Sequence, residues 1–378
     1  MHSRAGMSRR ALITGGAGFI GSHLADELLA RGYRVRALDV LLPQVHGVER
    51  RRPAYLDADV ELMQGDVRDA AAVRRALEDV DVVFHFAARV GVGQSMYEIA
   101  EYTGVNNLGT ATLLEALIER PVERLIVASS MSVYGEGLYR DDAGRPFEHA
   151  TRTQEQLIQG QWEPRMTDGR ALEPSPTPES KAPAIASVYA LSKLDQERLC
   201  LMTGAAYRIP TVALRFFNVY GPRQALSNPY TGVLAIFAAR LLNDNAPSVF
   251  EDGQQRRDFV HVRDVARACR LALEEPAAVG GVFNIGSGRA MTIRDVAERM
   301  ARVLGKSCEP HVTYQYRIGD IRHCTADISL ARRVLGYEPA IDFDAGLAEL
   351  ATWLAAGQRP IDRVDAMRAE LSQRGLAL

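Results

Sequence analysis

Cysteine is scarce: Cys200, Cys269, Cys308 and Cys324 are the four in 378 residues, and no two form a Cys-x-x-Cys pair. That pattern argues against a disulfide framework or a zinc knuckle and fits a reducing cytoplasm. An excess of charge of one sign is also lacking. The 45 Lys and Arg residues nearly balance 47 Asp and Glu, a formal charge of −2, which removes the electrostatic basis for binding nucleic acid or a membrane surface. There is no apolar run of the roughly eighteen residues a membrane helix needs, and none at all before Arg10, so neither a span nor a signal peptide is expected. What is present is an average globular composition, 47% hydrophobic and 24% charged, enough for a sizeable core in one large or two smaller domains. The expectation is a soluble cytoplasmic protein.

Short apolar runs alternate with helical patterns. Ala11–Thr14, Tyr33–Asp39, Val60–Gln64, Val80–His85, Leu125–Ser129 and Val212–Phe217 read as buried strands,. Between them Phe19–Leu29, Ala70–Leu77, Asn106–Leu117 and Tyr189–Met202 carry helical spacing. This alternation predicts an α/β fold with a doubly wound parallel sheet covered on both faces. Past Gly221 the prolines Pro222, Pro229 and Pro247 mark a change,. Asp258–Glu274 and Val282–Ile285 read as a return to the sheet, and Thr292–Leu304 as a capped helix. The expected division is 8–217 for the doubly wound sheet domain, with returning segments in 255–285, and 218–254 plus 286–357 for a smaller α/β domain. Residues 136–183 are too long and polar for a routine connection and read as an insertion over the sheet.

Gly15, Gly18 and Gly21 fall in Thr14-Gly-Gly-Ala-Gly-Phe-Ile-Gly21, between a strand and a helix. A backbone without Cβ atoms there can approach a pyrophosphate and aim helix N–H groups at it. Glycine is also what turns require, so the triplet alone is weak. Asp39, ending the second strand, adds weight, because a carboxylate there accepts ribose hydroxyls and repels a 2′-phosphate. NAD is therefore expected over NADP. Tyr189 and Lys193 stand four residues apart and share a helical face, where the ammonium would lower the phenol's pKa. A phenol so tuned takes a proton from a sugar hydroxyl and returns one to a ketone. Leu125–Gly135 ends a strand with hydroxyls that would sit over the reacting carbon.

These residues, with Gly65-Asp66-Val67, His85-Phe86-Ala87-Ala88, Asn106-Asn107-Leu108-Gly109-Thr110, Ser-Ser-x-x-Val-Tyr-Gly135, Arg215–Pro222 and Arg256–Asp264, resemble the extended short-chain dehydrogenase/reductases that act on nucleotide sugars. The likeness runs from Ala11 to Leu335. It implies Ser130, Tyr189 and Lys193 as the catalytic triad. It further implies an NAD site that includes Gly15, Gly18, Phe19, Ile20, Gly21, Asp39, Asp66, Val67, Ala87, Ala88 and Asn106. Ser130, Asn218, Phe250, Arg257 and Arg322 would bind the nucleotide-diphosphate sugar, arginine because its planar fork pairs with phosphate oxygens. A homodimer is implied through the Asn106–Leu117 and Tyr189–Met202 helices.

Within that family, dehydratases carry an Asp-Glu pair after the catalytic hydroxyl, and sugar-acid decarboxylases a glutamate beside the valine. Here Met131 and Ser132 stand there, and neither titrates usefully. Ketoreductase-epimerases use a cysteine and a histidine, yet no cysteine precedes Cys200. What remains is 4-epimerisation: one proton shuttle, a hydride acceptor, and loose contacts to a sugar near Val90, Gly91 and Val92. The Asn218–Val233 stretch and the insertion are similar to dTDP-L-rhamnose 4-epimerases, which interconvert that sugar and dTDP-6-deoxy-L-talose. UDP-glucose or UDP-glucuronate 4-epimerisation is the near alternative. A non-catalytic NAD-binding regulator and a net-reducing NADPH enzyme are further readings, opposed by the retained triad and by Asp39. Trp162–Gly169 lacks the cysteine pair some relatives carry, so no metal is expected.

Overall fold

The computed structural model describes residues 8–376 apart from 227, 229, 231, 318, 358 and 359. Ser227, Pro229 and Thr231 of the Asn218–Val233 pattern thus lie outside the described residues. Seven parallel strands form the central sheet, in the spatial order Val282–Ile285, Thr211–Phe216, Arg124–Ser130, Val82–His85, Arg10–Thr14, Arg34–Asp39, Glu61–Gln64. Side chains alternate between its faces. Ala11, Ile13 and Val82 point into one core with Leu24, Leu28 and Val265, while Leu12, Val83 and Val127 join Leu113 and Leu117 in the other. Both faces being buried, the strands carry near-continuous apolar runs.

Arg36 is one of the charged residues buried inside a strand. Its guanidinium donates to the Ala76 and Glu78 carbonyls at 2.8 and 2.7 Å and pairs with Glu61 at 2.9 Å. A buried cation is tolerated there because the carbonyls ending the Ala70–Ala76 helix receive it,.

The stretch expected to return over 255–285 divides between two sheets. Arg256–His261 pairs with Asn218–Tyr220, Ala290–Thr292 and His323–Cys324 in a second, smaller sheet. The Val262–Glu274 helix packs on the Phe19–Leu29 helix, and Val282–Ile285 closes the edge of the main sheet. The helices Val233–Leu242, Ile293–Val303 and Phe343–Ala356 bury Phe237, Met300 and Leu350 together beside the second sheet. The 136–183 insertion leaves the C-terminal end of Arg124–Ser130 and folds into a three-stranded sheet with one short helix, Gln154–Ile158. Beyond residue 357, where no element was expected, Val364–Gln373 forms another helix.

Candidate functional site

The Arg10–Thr14 strand lies between Arg34–Asp39 and Val82–His85, so the chain's connections diverge at its C-terminal end. Such a switch point opens a crevice. The crevice here has a volume of about 540 Å³, and Gly15, Gly18, Phe19, Ile20, Gly21, Asp39, Asp66, Val67, Ala87, Ala88, Ser130, Tyr189, Lys193 and Asn218 all line it.

The glycines are required by the crowding. Gly15 has φ +72°, and a Cβ there would stand 3.0 Å from the Ala87 nitrogen; a Cβ on Gly21 would collide with the Gly15 carbonyl. Gly18 caps the Phe19–Leu29 helix without any side-chain bond, leaving its first N–H groups to meet an anion. The Asp39 carboxylate accepts from the Ala17 and Leu41 amides at 3.0 and 2.9 Å, which hold it at the mouth of the turn. A glycine cradle, a free helix N-terminus and a fixed carboxylate fit the pyrophosphate and ribose of a dinucleotide. Asp66 is bound by Arg68 at 2.7 Å, and that hydrogen bond holds its carboxyl below the usual range.

At the other end, Ser187 caps the Val188–Tyr207 helix, its hydroxyl accepting from the Ala190 amide. The Tyr189 amide donates to Ser95 Oγ at 3.0 Å, and the Tyr189 ring meets Tyr102 edge-on. Burial pushes the Tyr189 phenol up, and a hydrogen bond with Ser130 pulls it down. Ser132 Oγ donates to Ser130 Oγ at 2.9 Å, orienting that hydroxyl. Lys193 Nζ donates to Gln196 Oε1 at 2.7 Å, and burial lowers its ammonium to about 8. The phenol's hydrogen-bond partner is Ser130. Lys193 belongs to a buried chain in which Gln196 Nε2 reaches Thr110 Oγ1, and Thr110 reaches His85, at 2.9 Å each.

Four expected residues do not line the crevice. Asn106 is fully buried in a π-helical turn, Thr103–Leu108. Its amide brackets the Arg89 backbone at 2.7 and 3.1 Å and donates to Ser192 at 2.8 Å, so it fixes the cleft's loop from behind. Arg322 is enclosed: Glu163 at 2.5 Å, Glu251 at 2.8 Å and Asp252 at 2.7 Å take its guanidinium. With three carboxylates around it, no face is left for a diphosphate, which corrects that expectation. Arg257 donates to the Arg256, Ile321 and Arg322 carbonyls. It shares a strand face with Phe259, which does line the cleft,. Phe250 lies under Arg317, 4.8 Å from guanidinium carbon to ring centre. Arg317, itself paired with Asp320 at 2.8 Å, was not singled out in the sequence; its only signal was a cation beside Gly319-Asp320.

Three other residues were given no role by sequence reasoning, although Arg215 stands in one of the quoted motifs. Glu197 and Arg215 form a buried pair at 2.7 Å, with Ser129 Oγ donating to Glu197 at 2.7 Å, and so fasten the Tyr189 helix to two central strands. Helical spacing puts Glu197 on the Lys193 face, but its partner lies on a distant strand. Gln196 is the third. Among the described residues, no group of three or more His, Cys, Asp or Glu is placed to hold a metal ion, and no helix is long and apolar enough to cross a membrane.

A dinucleotide cleft at the switch point, joined to a helix carrying Tyr189 and Lys193, defines a class of nicotinamide-dependent enzyme. The pattern of the NAD dependent epimerase/dehydratase family runs through residues 11–159 and 168–286, and the chain belongs to that family, with NAD as its cofactor. The chain is 38% identical to the dTDP-L-rhamnose 4-epimerase of Burkholderia thailandensis, over 92% of this chain and 95% of that protein. It is 32% identical to the UDP-glucose 4-epimerase of Mycolicibacterium smegmatis, over 90% and 96%. Among solved structures it resembles the UDP-glucuronic acid 4-epimerase of Bacillus cereus in complex with UDP-glucuronic acid and NAD. That match has a TM-score of 0.74 and 28% identity, and covers 92% of this chain and 99% of that one.

Proposed function

We propose that the protein is a nucleotide-sugar 4-epimerase, and that dTDP-L-rhamnose and dTDP-6-deoxy-L-talose are the pair it interconverts. The observation that carries the reaction type is that Tyr189 and Ser130 together line the end of the dinucleotide cleft, where Met131 and Ser132 bring no carboxylate. Bound NAD supplies the acceptor and then the donor of the C4 hydride. Tyr189 takes the proton of the C4 hydroxyl, and Ser130 holds the oxygen as it becomes a carbonyl. The 4-keto sugar then turns about its anchored diphosphate, presenting its other face, and Tyr189 returns the proton. The absence of a neighbouring acid and base supports a cycle that ends in epimerisation rather than loss of water.

The lining supports a 6-deoxy sugar. Val90, Val92, Met131 and Val233 face the cleft, and a C6 methyl is at home against carbon. Arg68 and Arg89 also reach it, but each is engaged, by Asp66 at 2.7 Å and by Glu98 at 2.8 Å. A uronate carboxylate would find neither free. UDP-glucose remains the second reading, favoured by the relatives that act on it. Orphaned inside the cleft, the buried Oδ1 of Asn218 supports a role in holding substrate. Exposed Leu108, Leu191 and Met202 on the two helical stretches support a homodimer, which we place in the cytoplasm.

Tyr189→Phe tests the mechanism. Turnover should fall by at least about a hundredfold while NAD still co-purifies; normal rates in that variant would remove Tyr189 as the acid and base.

A further inference from the structure

The Val364–Gln373 helix lies beyond the stretch matched by the family pattern, which ends at residue 286. Its apolar face buries Val364, Met367 and Leu371 against Tyr97, Tyr230 and Ile236. Tyr230 also lines the cleft. Its hydroxyl is committed on both sides, donating to Glu370 Oε2 at 3.1 Å and bonded to Tyr97 Oη at 2.6 Å. What Tyr230 can offer the cleft is therefore carbon. Neighbouring contacts are tight. A Cβ on Gly91, at φ +137°, would stand 3.0 Å from Tyr230 Cβ, and one on Gly93 would stand 3.3 Å from Leu371. The loop bearing Val90 and Val92 is thus packed between the tyrosine and the helix.

The helix also reaches the other expected substrate contact. Arg368 stands 5.9 Å from the Phe250 ring centre, while Arg374 stacks on Tyr97 at 4.1 Å. Ten residues of helix span about 15 Å, so this one element meets both Phe250 and Tyr97. Ion pairs of Arg240 with Asp362 at 3.6 Å and Asp365 at 3.0 Å fasten its start to the Val233–Leu242 helix.

We propose that this C-terminal helix is part of the substrate site: Glu370 is a positioning residue that fixes the Tyr97–Tyr230 pair, and Tyr230 is a specificity-determining wall against the sugar. The inference rests on the nucleotide-sugar reading above. It makes the sugar's affinity, and not the nucleotide's, depend on a hydrogen bond outside the catalytic triad.

The test uses the full chain with dTDP-L-rhamnose and UDP-glucose as substrates and dTDP and UDP as competitive inhibitors. Wild-type turnover of one sugar is established first; turnover of neither contradicts the functional reading itself. Tyr230→Phe and Glu370→Ala should then raise KM about five-fold, the effect of one net hydrogen bond. The Ki of the matching nucleoside diphosphate, the NAD content and kcat should stay within about two-fold. Glu370→Gln keeps an acceptor for the Tyr230 hydroxyl and should restore KM. A KM unchanged in both variants, or a Ki that rises in step with KM, overturns the proposal. So does a Glu370→Gln variant as impaired as Glu370→Ala. A purely structural role would lower Tm and leave the ratio of KM to Ki unmoved.

Discussion

At the scale of single residues, the site separates groups that touch the cleft from groups that hold those groups. Asp39 belongs to the first set, and its two backbone bonds give it a second role. Replacing it with Ala should relax the preference for NAD over NADP. It should also destabilise the fold by about 1–3 kcal/mol, because the Ala17 and Leu41 amides lose their acceptor,. An unchanged cofactor preference in kcat/KM for the two nucleotides would show that the ribose is read elsewhere. Asn106 and Arg322 illustrate how sequence resemblance and contact diverge. Both are among the least exposed polar residues, yet each is occupied with protein partners. A motif position records that a residue is needed and does not say whether ligand or backbone needs it.

Among elements, the Val188–Tyr207 helix carries Tyr189 and Lys193, and its position depends on a buried charge pair. Glu197 is fully buried and Arg215 nearly so, so removing one partner leaves an uncompensated charge. Glu197→Ala should cost about 3–5 kcal/mol in chemical denaturation; a loss below about 1 kcal/mol would mean the pair does not anchor the helix. The strands and helices of the central sheet were legible because their apolar runs are short, dense and bounded by glycine, as at Val282–Ile285. The small-sheet membership of Arg256–His261 was not. Its partners come from 218–220, 290–292 and 323–324, and no local periodicity distinguishes one sheet from another. The same holds for the site. Gly15, Asp39, Tyr189 and Lys193 announce themselves by spacing, whereas Tyr230, Gln196 and Arg317 acquire meaning only from residues far along the chain. The Val364–Gln373 helix was missed because its apolar positions are few and its burial is supplied by Tyr97, Tyr230 and Ile236.

Across the whole molecule, burial of neutral histidines sets the response to acid. Burial, helped by Lys193, lowers His85 to about 3; burial and Arg263 lower His261 to about 3; burial and Arg223 lower His23 to about 4. An unfolded chain protonates each near 6.5, so between that value and about 3 to 4 the unfolded state binds more protons. Stability must therefore fall as pH drops through this window, by up to about 1.4 kcal/mol per pH unit for each histidine. Denaturant midpoints at pH 7.5 and pH 5 check this; equal midpoints would contradict it. The larger architecture gathers one reaction from three parts of the chain. The central sheet supplies the dinucleotide cleft, the insertion reaches the 250–252 loop directly through Arg152 on Glu251 and, by way of Arg322, through Glu163, and the C-terminal helix backs Tyr230 at the cleft. The central claim is that these parts together invert C4 of a nucleotide sugar with NAD carried by the protein. The most direct measurement mixes purified protein with dTDP-L-rhamnose, UDP-glucose or UDP-glucuronate, without added cofactor, and follows the sugar ring protons by NMR. The account predicts new anomeric signals from dTDP-L-rhamnose that reach a fixed ratio from either direction. No change with any of the three, even after NAD is added, would contradict it.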